Sequence, residues 1–186
     1  MTIDIKKQSY NTYDFFPAIS HNCLSYLMDE NELVWKLLKY NDKDAWKDDT
    51  DHPNLSKAEK GALIYDGSPD DTNFRVFMDF GNDNVWTEQV CLLRISPTEL
   101  IPKNHVYGNI CIAFEVHCHY KINTLSNYQT RANIITQQII DVFNGAEIGG
   151  LGRLFFDFKI SYKSRMSIGG MTPFKTNYLI MTNWLA

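Results

Sequence analysis

The sequence predicts an α+β fold, and three observations lead there. Residues 109–122, N-I-C-I-A-F-E-V-H-C-H-Y-K-I, alternate apolar and polar almost without fault. That is the period of a strand with one buried face. Other alternating runs precede and follow it, interrupted by one helical pattern at residues 127–143. A helical stretch stands ahead of them all. Such an order predicts a mainly antiparallel β-sheet with long strands, packed by one amphipathic helix, plus an N-terminal helical segment. The 186 residues, 44% hydrophobic, suffice for one core. The expected organisation is an N-terminal arm at 1–17 and a single α+β domain over 18–186. Within it, 18–65 is the helical part and 74–186 the sheet-plus-helix core.

Taken in order, residues 1–17 are polar with scattered aromatics and end on Phe15-Phe16-Pro17. They read equally as an arm ordered by a partner or as a segment packed on its own domain. Residues 18–40 read as helix in two pieces. Asp29 and Glu32 have capping-box spacing, and Leu33, Val34, Leu37 and Leu38 form an apolar stripe. Trp35 lies off that stripe and is assigned to the chain's own sheet. Residues 41–55 carry five Asp but lack the central Gly and closing Glu of a calcium loop. They are expected to be a solvated acidic loop. Ser56 and Glu59 cap a helix over 56–65. Residues 74–80 and 85–95 form an expected antiparallel hairpin about 81–84, with Phe74, Val76, Met78 and Phe80 inward. Ser96-Pro97 ends its second strand.

The long strand follows. Ile110, Ile112, Phe114, Val116, Cys118, Tyr120 and Ile122 are expected on its buried side. Asn109, Cys111, Ala113, Glu115, His117, His119 and Lys121 are expected on its solvent side. At roughly 45 Å it is long enough to outgrow its domain. Ser126 and Gln129 then box the helix at 127–143. Tyr128, Ala132, Ile135, Ile139 and Val142 form its buried face, with Arg131, Gln138 and Asp141 on others. Asn144-Gly145 ends it. Residues 153–162 alternate again, 163–175 form a long loop, and 177–185 form the last strand.

Composition narrows the function. The net charge is −4 with no basic block, which disfavours a nucleic-acid surface. The four Cys, with no C-x-x-C pair, read as reduced core thiols of a protein made in the cytosol. The first residues lack an apolar signal core, and no apolar run approaches a membrane helix. Aromatics at 13% favour strands and protein interfaces.

Chemical constellations are sparse. Glu115, His117 and His119 share a strand face and suit a metal in type and spacing. No further ligand is signalled nearby, and a solvated polar face explains them more simply, so no metal or cofactor is expected. Gly149-Gly150-Leu151-Gly152 follows a helix and opens a strand, the inverse of a dinucleotide loop. Cys118 points away from both neighbouring His, which argues against a thiol–imidazole dyad. No hydrolase elbow, Walker loop or kinase signature occurs.

The segment N-T-L-S-N-Y-Q-T-R at residues 123–131, a helix, then N-G-A-E-I-G-G-L-G-R-L-F-F at 144–156 complete a pattern. Helices, hairpin, long strand, helix and strands in this order resemble neck proteins of tailed bacteriophages, over residues 74–186. These are head–tail connector, head-completion or tail-terminator proteins. The resemblance implies a non-enzymatic virion part, a portal-associated ring between head and tail through which DNA passes. Its partners would be copies of itself and neighbouring neck, portal or tail proteins, with no membrane. The large apolar residues on projecting segments then become interface candidates: Phe15, Phe16, Trp86, Ile168, Met171 and Phe174. A small metal-dependent enzyme using Glu115, His117 and His119 is the alternative. A host-directed binding module is a third reading.

Overall fold

The computed structural model describes residues 18–68, 73–78, 88–103, 108–149, 151–163, 166–167, 170–171 and 174–183. Helices α1, Ile19–Glu30, and α2, Leu33–Lys39, divide the first helical stretch in two, as expected. The cap between them differs from the expected Asp29–Glu32 box. Asn31 Oδ1 accepts from the Val34 amide at 2.8 Å, because Glu32 is drawn away to the Lys60 ammonium at 2.5 Å. Trp35 is fully buried and donates Nε1–H to the Leu27 carbonyl at 3.2 Å. Helix α3, Lys57–Ala62, is shorter than expected but starts with the Ser56–Glu59 capping box intact.

The fold is α+β. Among the described residues, six strands form one mostly antiparallel sheet in the order β1-β2-β3-β8-β5-β4. These strands are β1 Val76–Phe77, β2 Cys91–Pro102, β3 Gly108–His119, β4 Glu147–Ile148, β5 Gly152–Lys163 and β8 Phe174–Asn183. Between β5 and β8, β6 Met166–Ser167 pairs antiparallel with β7 Gly170–Met171, where a long loop was expected.

The expected hairpin is absent: β1 lies parallel to β2, with Val76 opposite Leu93. About a dozen residues separate them, enough for the crossover that parallel pairing requires. Val76 is buried but Met78, assigned inward, is 36% exposed. Strand β2 also passes through Ser96-Pro97 instead of ending there. A register shift between Pro97 and Glu99 accommodates the missing proline amide.

Strand β3 stays within the sheet. It pairs with β2 over its length and with β8 from Cys111 to His119. The chain then turns into a one-turn helix, α4 Tyr120–Asn123, with His119 as its cap, so Tyr120 is 55% exposed rather than inward. Ile110, Ile112, Phe114, Val116 and Cys118 are buried, as their period predicts. They meet helix α5, Arg131–Phe143, through Ile135, Ile139 and Phe143, with the Phe114 and Phe143 rings 4.8 Å apart. Ser126 does not box this helix. It accepts instead from Trp46 Nε1–H, while Asn123 Oδ1 takes the Ala132 amide at 3.0 Å. Gly145 closes the helix at φ +84°.

Asn109 and Cys111, at the start of the other face of β3, are half-buried, and the rest of that face is closed to solvent. Ala113, Glu115, His117 and His119 are all buried. Part of that face carries a second apolar cluster of Phe77, Val90, Leu92 and Phe174.

Candidate functional site

The polar face of β3 brings the predicted residues together in rows. Antiparallel register sets Arg94 and Tyr178 on either side of Glu115, and Leu92 and Thr176 on either side of His117. His117 Nε2 lies 2.9 Å from Glu115 Oε2, and its Nδ1 lies 2.9 Å from Thr176 Oγ1. Hydroxyl, imidazole and carboxylate thus form a relay in which a proton can be shared. Burial, then the nearby Glu115 charge, raises the Tyr178 pKa. His119 stands apart from the relay. Its ring stacks on Tyr120 and meets Phe174 edge-on, and its Nδ1 accepts from the Lys121 amide at 3.2 Å. Burial, then the Lys121 charge, lowers its pKa, consistent with a neutral accepting ring. Among the described residues no group of three or more His, Cys, Asp or Glu is arranged to hold a metal ion.

Cys23, Cys91 and Cys118 are core thiols, whereas Cys111 is only half-buried, with its thiol toward Glu99. Cys118 faces Cys91 across the β2–β3 pair, and both are fully buried. Their mutual hydrogen bond and burial push the Cys118 thiol far up, and burial pushes Cys23 up to about 12.

Three groups escaped the sequence reading. Arg131, assigned to an outer face, is fully buried. Its guanidinium donates to the carbonyls of Ile122, Leu37, Tyr40 and Asp42 at 3.1, 2.6, 2.5 and 2.6 Å. It ties α2 and the acidic loop to α5. In that loop His52 lies 2.9 Å from both Asp42 and Asp49 and is nearly buried, so the segment is braced rather than merely solvated. Tyr128, assigned to the buried face of the helix, is 93% exposed at φ +62°. It sits on a loop closed by the Thr124–Thr130 bridge and by the Leu125 amide donating to the Gln129 carbonyl at 2.9 Å. An open groove of about 640 Å³ runs beside it, between this loop, Trp46, the start of α2 and the outer face of α5.

Of the interface candidates, Phe15, Phe16, Trp86 and Ile168 lie outside the described residues. Met171 lies on β7. Phe174 is only 8% exposed, held between His119 and the second apolar cluster. Among the described residues no helix is long and apolar enough to cross a membrane.

Compared with known families, residues 31–181 match the YomW profile, a span that takes in α2 to α5, nearly all of the sheet and the groove, but not α1. The chain belongs to the YomW family. That family is of phage origin, so the chain is a phage protein in kind. The YomW match takes in β3, Arg131 and Tyr128, so these belong to the family's region of the chain. No curated protein matches the chain.

Proposed function

We propose that this phage-type protein is a non-enzymatic structural subunit of the neck of a tailed phage. Copies would form a ring between portal or head and tail, joining them and letting DNA pass. Its place would then be the virion, and its partners the neighbouring neck, portal or tail proteins. The observation that carries this reading is the placement of exposed apolar side chains at opposite ends of the central strand pair. Ile101, 39% exposed, lies at the end of β2 beside the start of β3. Tyr120, 55% exposed, follows the far end of β3. Eleven residues of strand separate the two ends, roughly 36 Å. Two different exposed apolar residues that far apart suit head-to-tail contacts, which form a ring when the rotation from copy to copy closes, better than a two-fold pair. The family's phage origin supports the setting. An enzyme on Glu115, His117 and His119 has no comparable support, since both nitrogens of His117 already have partners and His119 stands apart.

Mass spectrometry of purified particles is expected to find the chain in several copies per particle. Its absence from intact particles would overturn the reading. A chain carrying both Ile101→Cys and Tyr120→Cys is expected to cross-link copy to copy in those particles, giving a ladder that ends at the ring's copy number. A product that stops at the dimer would indicate a two-fold pair instead.

A further inference from the structure

The groove beside Tyr128 carries chemistry that the fold does not use. At φ +62° Tyr128 holds a left-handed backbone that disfavours any residue with a Cβ, while glycine would hold the same turn without strain. Its ring is 93% exposed and so returns almost no burial for that strain. Strained residues that give the fold nothing in return gather at ligand clamps. Five of the lining side chains are amides: Asn127 uses both sides of its group on Gln129, and the other four are oriented by one side-chain hydrogen bond each. Asn133 Oδ1 accepts from Asn177 at 3.0 Å, Gln138 Oε1 from Asn31 at 2.9 Å, and Gln129 Oε1 from Asn127 at 3.3 Å. Each keeps its amino group for another partner. Gln137 is the converse: its amino group donates to Asp141 at 2.7 Å, which leaves its carbonyl. No charged residue lines the groove.

We propose that this groove binds a neutral saccharide bearing acetamido groups, with the Tyr128 ring as the platform for one sugar. An ion would be desolvated there with no countercharge. Three amide amino groups and the unpartnered Thr130 hydroxyl, against one open amide carbonyl, favour a ligand rich in acceptor oxygens, which acetamido carbonyls and sugar hydroxyls supply. A peptide would bring a backbone N–H for nearly every carbonyl and find only the Gln137 carbonyl and the Thr130 hydroxyl open to accept. The groove's volume falls in the range of small-ligand clefts.

The test is an NMR titration of the Asn and Gln side-chain amides with the N-acetylglucosamine trimer chitotriose, beside a blocked tetra-alanine peptide. Saturable shifts at Asn133 and Gln138 are expected with chitotriose and not with the peptide. Tyr128→Gly is expected to keep the fold and raise Tm, since it relieves the backbone, yet to weaken chitotriose binding about tenfold. Tyr128→Ala makes the same binding comparison without loosening the loop, and Tyr128→Phe should bind as the parent does. The absence of saturation, a response to the peptide instead, or full binding by both Tyr128→Gly and Tyr128→Ala would overturn the proposal.

Discussion

At the scale of single residues, polar groups decide more of this molecule than their sequence context announces. Arg131 shares a spacing of four with Ile135 and Ile139, so the helical period already placed it on the buried face. Its charge argued for solvent, but four carbonyls within reach satisfy the guanidinium where it lies. Tyr128 errs the other way: its apolar ring suggested the core, but Ser126-Asn127 before it is a turn signal. His52 makes the pH dependence testable. Burial alone would lower its pKa, but hydrogen bonds and charge from Asp42 and Asp49 outweigh that and raise it. The folded chain therefore holds the His52 proton more tightly than the unfolded chain does. Its stabilisation is complete below the ordinary value of 6.5 and is lost as pH rises through the raised folded value. The Tm gap between the parent and His52→Asn should then be larger near pH 6 than near pH 9. A gap of equal size at both pH values would show that the Asp42–His52–Asp49 bridge is not what braces the loop.

At the scale of elements, period proved a better guide than end signals. The alternation over 109–118 identified the buried side of β3, and the four-and-three spacing picked out Ala132, Ile135 and Ile139, though it also named the exposed Tyr128 and the half-buried Val142 and missed Phe143. Capping-box spacing worked at Ser56–Glu59 and failed at Asp29–Glu32 and Ser126–Gln129. In both failures an Asn side chain reached the helix amide, while Glu32 and Ser126 found distant partners that local spacing does not reveal. The packed face of α5 predicts that Ile135→Ala or Ile139→Ala costs about 2–5 kcal/mol, as truncations of filled cores do. Gln138→Ala, which loses only the bond to Asn31, should cost about 1 kcal/mol or less. Chemical denaturation of the three variants makes the comparison. Equal losses at all three sites would mean that α5 does not lean on β3 through this face.

At the scale of the whole molecule, the sheet is buried on both sides of its central strand, which one-sided alternation did not suggest. The helices cover one face, and on the other Glu115, His117 and Thr176 satisfy one another, so polar residues can lie there without water. With neighbours along both edges and burial on both faces, β3 amides should be the slowest to exchange in native-state hydrogen exchange. Amides of the two-residue strands β1 and β4 should exchange sooner. If β3 opened as early as they do, it would not be the centre of the fold. What the sequence determined by itself was the α+β class, the apolar half of β3 and the buried stripe of α5. Each follows from a local period that the backbone geometry imposes on neighbouring residues. Tertiary structure alone decided the parallel pairing of β1, the burial of Glu115 and His117 and the seat of Arg131. Each of these depends on partners tens of residues away, and a polar side chain takes its place from the groups that satisfy it, not from its neighbours along the chain.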